Sequence, residues 1–345
     1  MGNPLVTVLM TTYNGEQFIR DAIESVLRQT YQNLELIIVL EADTKDNTCK
    51  IIQNFKDKRI KLIMNEARLG LDKSLNRGLD LAKGKYVARL DDDDICMPRR
   101  LEIQVKTMEK HTDLIMCGSN AYIVNDKNQI KSIEHTPKTY KNICYHLCFE
   151  NSFISSSVMF RTKEIREKWK YEGMVSEDYL LWVKIAGRYK VCNIQQELVA
   201  YREYHGNRTK TFIQLQEKRD ALIQKYQWGK KHLTYPLNNS FYMECKGNKE
   251  VKKREEMLKL LLVKNKFGKI QREENILLTM KLYMMLGMNE SSAYHRFINN
   301  NREIYLHKKI YLYQDILKYY FNKEKYKLVD SIKIVIHKGA CKYGQ

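Results

Sequence analysis

Residues 6–40 read VTVLMTTYNGEQFIRDAIESVLRQTYQNLELIIVL, and this stretch decides the fold class. Residues 6–14 are rich in β-formers and end in turn-forming residues. Residues 15–30 then place apolar side chains at the spacing of a helix, and Glu16 supplies an acidic first turn. Residues 34–40 are almost entirely apolar, as expected of a strand buried on both faces. The stretch therefore predicts a strand–helix–strand unit.

The same alternation continues to residue 90. Residues 60–65 (IKLIMN) and 85–90 (KYVARL) read as strands, and residues 71–83 (LDKSLNRGLDLAK) read as a helix. Strands that alternate with helices across short loops predict an α/β fold with a mostly parallel sheet. Ligands of such sheets collect at the carboxyl ends of the strands. The loops TTYNG (11–15), EADTKD (41–46) and DDDD (91–94) all follow strands, so we expect them to converge on one edge.

Four consecutive aspartates, Asp91 to Asp94, stand at the end of the fourth predicted strand. Carboxylates placed side by side repel one another, and they suit a hard divalent cation such as Mg²⁺ or Mn²⁺. Mg²⁺ takes only one or two protein carboxylates and fills its other positions with water and phosphate oxygens. The cluster therefore implies a diphosphate ligand as well as a metal. The alternative interpretation is a solvated acidic loop.

A second acidic pair, Glu177 and Asp178, lies at the start of a predicted helix within WKYEGMVSEDYLLWVKIAGRY (169–189). Acidic residues stabilise the first turn of any helix, so capping of this helix is one explanation. A catalytic carboxylate is the other. The pattern alone leaves both open.

Residues 6–39, followed by NEARLGLDKSLNRGLDLAKGKYVARLDDDDICMPRRLEIQV (65–105), resemble the catalytic domain of family 2 glycosyltransferases. The resemblance runs from about Val6 to His205, and several motifs occur in the expected order. It implies a GT-A fold, in which a Rossmann-like, mixed and mostly parallel sheet flanked by helices carries an Asp-x-Asp metal motif. It also implies inverting, metal-dependent transfer of a sugar from a nucleotide-diphosphate donor, expected to be UDP-linked. The expected acceptor is a growing surface glycan of the capsule, O-antigen or lipooligosaccharide type, free or lipid-linked.

The resemblance also assigns a nucleotide pocket. Thr11 and Tyr13 fall in it, where an aromatic ring can stack on a base. Glu41 stands where the family has an aspartate that reads the base, and Asp43 is the other candidate reader, because the usual pair of aspartates is here Glu-Ala-Asp. Arg68 is a candidate phosphate or ribose contact. The alternatives are loop capping for the first residues and an ordinary surface arginine for Arg68.

The family's Asp-x-Asp-Asp pattern matches Asp91, Asp93 and Asp94. It implies that Asp93 is the direct ligand of Mn²⁺ or Mg²⁺. Asp91 is then a second metal candidate or a contact to the sugar nucleotide. A register shifted by one residue would use Asp92 and Asp93 instead, with Asp92 next to the sugar nucleotide.

The match ED-x-x-LW makes Glu177 or Asp178 the catalytic base, with Asp178 preferred. His205 falls where some members place a further metal or diphosphate ligand, although a lone histidine is often structural. Arg208 would suit diphosphate oxygens.

The positive charge is concentrated in the C-terminal third. Residues 211–345 hold 27 Lys and Arg against 13 Asp and Glu, a net +14 of the chain's +19. We therefore predict a GT-A catalytic domain over residues 1–211, with a nucleotide-sugar half (about 1–116) and an acceptor half (about 117–211). A basic helical region, 212–345, follows. That region is either a helical cap or a basic, aromatic surface that rests on anionic lipid. No nucleic-acid-binding signature appears, so we expect no nucleic-acid partner.

The expected location is the cytoplasm, with contact at the inner face of the cell membrane. We see no leader peptide and no apolar run long enough to span a bilayer, and the eight cysteines are scattered without a CxxC pair. Two other functions stay open from sequence. One is a nucleotidyltransferase that makes sugar nucleotides, although TTYNGEQF lacks the glycine- and lysine-rich loop of a triphosphate site. The other is a non-catalytic glycan- or partner-binding module.

Overall fold

The computed structural model describes residues 3–147, 150–173 and 176–204, together with residue 223. The predicted boundary at residue 211 lies outside this part. So does the basic region, apart from Ile223, which is buried in one of the hydrophobic cores. The domain limits therefore stay predictions.

The first half of the domain is a parallel block of alternating strands and helices. Its elements are β1 (Val6–Thr12), α1 (Ile19–Leu27), β2 (Leu34–Leu40), α2 (Thr48–Asn54), β3 (Ile60–Met64), α3 (Leu71–Leu81) and β4 (Tyr86–Arg89). The strands lie in the order β3-β2-β1-β4, all parallel. Every residue of β2 is buried, as its apolar run predicts.

The second half adds a second parallel pair and three strands that pair antiparallel with a neighbour. Its elements are β5 (Ile95–Cys96), α4 (Arg100–Lys110), β6 (Leu114–Val124), β7 (Ile130–Glu134), α5 (Tyr140–His146), a 3₁₀ turn (Ser155–Ser157), β8 (Met159–Arg161), α6 (Thr162–Arg166), α7 (Glu177–Ala186) and β9 (Lys190–Arg202). β8 runs antiparallel to both β4 and β6, and so joins the two parallel blocks. β9 pairs in parallel with β6 and antiparallel with β5, and β7 pairs antiparallel with β6. The longest pairings are parallel, but the sheet as a whole is mixed.

Helices cover both faces of the sheet, because alternate strand residues point to opposite sides. On β1, Leu9 joins the core beneath α3, whereas Val8 and Met10 join the core beneath α1. Each fully buried aliphatic side chain contributes about 1.5–3 kcal/mol of transfer free energy. The two cores fix the strands, and the strands in turn fix the loops at their carboxyl ends.

None of the helices in the described ranges is long and apolar enough to cross a lipid bilayer.

Candidate functional site

The loops that follow β1, β2 and β4 meet at the carboxyl edge of the sheet, as the sequence predicts. The Gly15 N–H donates to Thr48 Oγ1 (2.8 Å), and the Glu16 N–H donates to Asp46 Oδ2 (3.0 Å). The Thr12 hydroxyl donates to Asp92 Oδ2. Because the loop after β2 binds these first N–H groups, α1 begins at Ile19 instead of near Gly15, where the sequence pattern places its start.

Gly15 is needed where the first and third loops touch. A Cβ atom built there would lie 2.6 Å from Thr12 Oγ1 and collide with the Asp92 carboxylate. Only a residue without a side chain lets the two loops approach this closely. The aspartate loop is thereby held against the end of β1.

Three of the predicted nucleotide residues, Tyr13, Asp43 and Arg68, form a partly exposed group at this edge. The Tyr13 side chain is 39% exposed, and the guanidinium carbon of Arg68 lies 4.5 Å from the centre of its ring. Arg68 Nη1 also pairs with Asp43 Oδ2 at 3.2 Å. Thr11 lies two residues before Tyr13, half-buried at the end of β1. The structure therefore brings together an aromatic ring, a cation and a carboxylate where the sequence predicts a nucleotide.

Glu41 does not join that group and instead binds the loop in front of α3 and Ser74 on that helix. Its buried carboxylate accepts hydrogen bonds from the N–H groups of Leu69 (2.9 Å) and Gly70 (3.0 Å) and from Ser74 Oγ (2.7 Å). Burial acts to raise its pKa, but these hydrogen bonds outweigh burial and hold the pKa below its ordinary value. With both oxygens engaged, Glu41 holds the loop in front of α3. Asp43 is the carboxylate that remains beside Tyr13 and Arg68.

The four aspartates point to four different partners. Asp91 Oδ1 accepts from Arg89 Nε (3.1 Å), and Asp92 accepts from Thr12. Asp93 is hydrogen-bonded to Tyr204, and Asp94 Oδ1 accepts from the Arg202 N–H (2.8 Å). Arg89 lies on β4 and Thr12 on β1, whereas Arg202 and Tyr204 lie at and just after the end of β9, so three strands hold the loop.

Burial and mutual repulsion make this loop hard to ionise completely. Burial, followed by the charge of Asp93, raises the pKa of Asp92 to about 8. Burial, followed by the charge of Asp91, raises the pKa of Asp93 to about 6. The same causes raise the pKa of Asp94 well above its ordinary value. A cation at this loop would relieve the repulsion, so the donor set fits a hard divalent metal.

The described residues do not form a complete metal cage. Within residues 3–147, 150–173 and 176–204, no three His, Cys, Asp or Glu side chains come together in a way that could hold a metal ion. A partial shell of Asp91 and Asp93 still matches Mg²⁺ or Mn²⁺, because these ions complete their coordination with water and phosphate oxygens. His205 and Arg208 lie outside the described residues.

Glu177 and Asp178 open α7 on the opposite side of the site. Glu177 Oε1 lies 3.3 Å from Arg89 Nη2, and both side chains are buried. Asp178 Oδ2 accepts from Asn151 Nδ2 (3.1 Å) and from the Ser155 hydroxyl, and its Oδ1 accepts from the Tyr179 N–H (2.7 Å). Glu177 is therefore held by an ion pair, whereas Asp178 is held by neutral donors.

A cavity of about 350 Å³ joins the two acidic groups. Asp91, Glu177 and Asp178 all contribute to its wall, so the end of β4 and the start of α7 share one space. Its other lining residues are Leu71, Arg89, Ile123, Glu134, Asn151, Phe153, Ile154, Ser155, Ser176, Tyr201 and Glu203. Neither the exposed group around Tyr13 nor Asp92 and Asp93 line this cavity.

The sequence prediction missed Arg89, the residue that connects the two acidic groups. Its side chain is 4% exposed and lies between Asp91 and Glu177, with its guanidinium carbon 5.6 Å from the centre of the Tyr171 ring. The signal was present in KYVARLD. Residues 89 and 91 are two apart at the end of a strand and share a face, so an arginine there meets the aspartate.

Comparison with known proteins gives the family that the sequence resembles. Residues 7–169 match the family model for glycosyl transferase family 2. An uncharacterized glycosyltransferase of Methanocaldococcus jannaschii is 35% identical over 250 residues, which are 70% of this chain and 85% of the relative. The Escherichia coli UDP-Glc:alpha-D-GlcNAc-diphosphoundecaprenol beta-1,3-glucosyltransferase WfgD is 34% identical over 54% of this chain and 71% of its own length.

The fold has a counterpart among solved structures. The crystal structure of S. aureus TarS residues 1–349 in complex with UDP-GlcNAc superposes with a TM-score of 0.54 at 17% identity and covers 93% of both chains. This likeness confirms the predicted fold class for the described part of the chain.

Proposed function

The chain belongs to glycosyl transferase family 2, and we propose that it is an inverting, metal-dependent enzyme that transfers a sugar from a UDP-linked donor to a hydroxyl of a growing surface glycan. The observation that carries the proposal is the cavity shared by Asp91 and the Glu177–Asp178 pair. It places a carboxylate from the donor side and a candidate base from α7 around a single space.

The donor is assigned to the edge that carries Tyr13. Its ring supplies a stacking surface for a base, Asp43 an acceptor for a base or ribose donor group, and Arg68 a cation for phosphate. TarS is described in complex with UDP-GlcNAc, and the WfgD name specifies a UDP-Glc donor. Both support UDP as the donor nucleotide. Thr11 completes this side of the pocket, whereas Glu41 shapes it through the loop before α3.

The transfer step uses Asp178 as the general base. The acceptor hydroxyl oxygen attacks the anomeric carbon from the face opposite the diphosphate, its proton passes to an Asp178 oxygen, and the bond from the anomeric carbon to the diphosphate oxygen breaks. The electron pair of that bond leaves with the nucleotide diphosphate, so one displacement inverts the anomeric configuration. Ser155 and Asn151 orient the Asp178 carboxylate, and Glu177 holds Arg89 beside it.

Asp93 and Asp91 would hold Mn²⁺ or Mg²⁺, which supplies charge neutralisation at the departing diphosphate. Arg89 adds a fixed positive charge to the same wall through its ion pair with Asp91.

A surface glycan is the proposed acceptor because the names of several relatives specify glycan biosynthesis or a glycan acceptor. Besides WfgD, they include the amylovoran biosynthesis glycosyltransferase AmsE of Erwinia amylovora and the O-antigen biosynthesis glycosyltransferase WbnJ of Escherichia coli. The acceptor named for WfgD is carried on diphosphoundecaprenol. A lipid-linked acceptor would place this enzyme at the inner face of the membrane.

We further propose that the basic region, residues 212–345, contacts anionic lipid. Each lysine close to a negative surface contributes about 1 kcal/mol, and this attraction falls with salt. Flotation of the full chain with anionic and with neutral vesicles, at low and high salt, tests the idea. Binding that ignores lipid charge would contradict it.

A panel of nucleotide sugars with Mn²⁺, followed for donor hydrolysis without acceptor, tests the main proposal. Hydrolysis of one UDP-sugar, abolished by chelation, is the expected result. Pyrophosphate release from a nucleoside triphosphate and a sugar phosphate would instead favour a nucleotidyltransferase. Failure to bind any nucleotide sugar would favour a binding module.

A further inference from the structure

Ser176 places an unused hydroxyl in the wall of the cavity. Its side chain is 7% exposed, and its Oγ has no hydrogen-bond partner among the described residues. A serine in front of a helix usually caps the helix N–H groups, but Ser176 makes no such bond to α7. A buried hydroxyl without a partner costs free energy that a bound ligand would recover.

Arg89 provides a second unused group in the same wall. Its Nε and Nη2 atoms face Asp91 and Glu177, whereas its Nη1 is buried and has no hydrogen-bond partner in the described part of the chain. The guanidinium carries only donors, so Nη1 requires an oxygen from a ligand. One ligand hydroxyl can accept a hydrogen bond from Arg89, and a second can donate to or accept from the Ser176 hydroxyl.

The charge of the wall restricts what that ligand is. Five carboxylic side chains line the cavity, Asp91, Glu134, Glu177, Asp178 and Glu203, and Arg89 is the one basic side chain among the lining residues. The chain as a whole has a net charge of +19, so the cavity is an acidic exception on a basic protein. An anionic ligand would meet like charge in a partly enclosed space, where repulsion is strong. A ring with neutral hydroxyls can donate hydrogen bonds to the same carboxylates.

The lining residues also favour one of the two proposed substrates for this space. Eleven of the fourteen lie beyond residue 116, in the half predicted to bind the acceptor, and none belongs to the group of Tyr13, Asp43 and Arg68. The volume of about 350 Å³ lies at the lower end of the usual range for small-molecule sites, roughly 300–1,000 Å³. The space therefore suits a small part of the acceptor next to the base.

From these observations we infer that the cavity is an acceptor subsite for an uncharged sugar ring, in which Ser176 is a specificity-determining residue that hydrogen-bonds a ring hydroxyl. Arg89 Nη1 donates a hydrogen bond to a second oxygen, and Glu134 and Glu203 disfavour rings that carry a carboxylate or phosphate. This inference rests on the proposed function, because it assigns the acceptor of the same reaction.

The first experiment compares two rings that differ only in charge. Methyl β-D-glucopyranoside and methyl β-D-glucuronide are titrated into the full-length enzyme with UDP and Mn²⁺, and binding is followed by saturation-transfer NMR. The neutral ring is expected to bind at least about tenfold more tightly, since like-charge contacts cost several kcal/mol. Glu203→Gln should narrow this gap, whereas the control Glu197→Gln, on β9 but not lining the cavity, should leave it unchanged. Equal affinity for the two rings, or binding of neither, overturns the inference.

The second experiment separates recognition from folding. Ser176 has a left-handed backbone (φ 52°), which glycine adopts without strain. Ser176→Gly should therefore preserve or raise the melting temperature while weakening the neutral ring about 3- to 10-fold, the usual worth of one hydrogen bond. Ser176→Ala should weaken the ring by a similar factor, and Ser132→Ala, outside the cavity, should not weaken it. Unchanged affinity in Ser176→Gly contradicts the assignment.

Donor hydrolysis, measured on the same samples without either ring, reports on the proposed function alone. Normal hydrolysis with no charge discrimination rejects the acceptor subsite and keeps the glycosyltransferase. Absent hydrolysis with every nucleotide sugar rejects the proposed function itself.

Discussion

The proposed donor edge, which consists of Tyr13, Asp43 and Arg68, differs from the proposed acceptor cavity in how its polar groups are held. At the edge Arg68 contacts both the Tyr13 ring and Asp43, and all three side chains are partly exposed to solvent. The wall of the cavity holds two buried groups, Ser176 Oγ and Arg89 Nη1, that have no hydrogen-bond partner in the part of the chain that is described, whereas the edge holds one, Asp43 Oδ1. The cavity therefore leaves more hydrogen-bonding capacity for a ligand than the edge does.

This difference indicates where binding energy is available. A nucleotide at the donor edge must compete with the contacts that Arg68 already makes to Tyr13 and Asp43, so its net gain from Arg68 is small. A ligand in the cavity recovers the cost of buried, unpaired groups, and each correct hydrogen bond there counts more. We therefore expect substitutions to be most costly in and beside the cavity and least costly at the exposed edge.

The largest effect should come from Asp178→Asn. The amide keeps the shape of the carboxylate but cannot accept a proton, so turnover should fall by about 10²–10⁴-fold while donor affinity stays the same. Steady-state kinetics with a nucleotide sugar and acceptor, together with UDP titration, measures both quantities. Full activity in this variant combined with an inactive Glu177→Gln would transfer the role of the base to Glu177.

The next largest effect should come from Asp93→Asn. Removing a charge from the proposed metal ligand should weaken Mn²⁺-dependent UDP binding by at least roughly 10–100-fold. Loss of a residue that only hydrogen-bonds to a metal ligand already has an effect of that size. Calorimetric titration of UDP with and without Mn²⁺ gives the result. An unchanged dependence on Mn²⁺ would show that Asp93 is not a ligand.

Glu41→Gln should affect stability more than catalysis, because Glu41 connects the loop in front of α3 to Ser74 on that helix. Loss of the charged acceptor should cost about 1–3 kcal/mol of unfolding free energy at neutral pH. The folded-state pKa of Glu41 lies below its ordinary value of 4.5, so its contribution is present above that value. It is lost as the pH falls through the folded-state pKa. Urea unfolding of both proteins between pH 7 and pH 3 should show the gap closing in acid.

A constant gap across that pH range would mean that the ionised form of Glu41 does not stabilise α3. Asp43→Asn provides the matched comparison at the donor edge. It should leave stability nearly unchanged and weaken UDP binding. Lower stability with unchanged UDP binding would instead assign recognition of the nucleotide base to Glu41.

Arg68→Ala should have the smallest effect on the fold. Its side chain is 62% exposed, so its ion pair with Asp43 is screened by water, and the unfolding free energy should change by about 0.5 kcal/mol or less. UDP affinity should fall severalfold if the guanidinium binds phosphate. Thermal melting and UDP titration of the same sample separate the two, and a large loss of stability would show that the group around Tyr13 is structural.

Local sequence patterns predict the parallel half of the fold well. The apolar run at residues 34–40 is β2, and the helical period at residues 71–83 contains α3. Both signals depend only on neighbouring residues. The second half depends on pairing between distant segments, such as β8 between β4 and β6, and no local pattern specifies a partner. The thirteen-residue β9 likewise takes its place by pairing with the distant strands β5 and β6.

The site residues also divide into those that the sequence predicts and those that depend on distant parts of the fold. The motifs of Asp91, Asp93, Glu177 and Asp178 follow from a resemblance, and the geometry brings Asp91 to the pair on α7. The role of Glu41 depends on the distance between the end of β2 and the loop in front of α3. A sequence pattern does not predict that distance. The unused hydroxyl of Ser176 depends on one backbone angle, and nothing in the letters around it indicates a left-handed serine.

The anchoring of the aspartate loop by β9 has a consequence during synthesis of the chain. The Asp94 carboxylate accepts from the Arg202 N–H, 108 residues later, and β5 has β9 as its neighbour in the sheet. A ribosome adds about 5–20 residues per second, so roughly 5–20 seconds separate translation of the loop from translation of its anchor. The first four strands can pair within that interval, but the loop cannot reach its final shape. The nascent enzyme should therefore acquire its fold early and its ability to bind the donor only after residue 202 has left the ribosome.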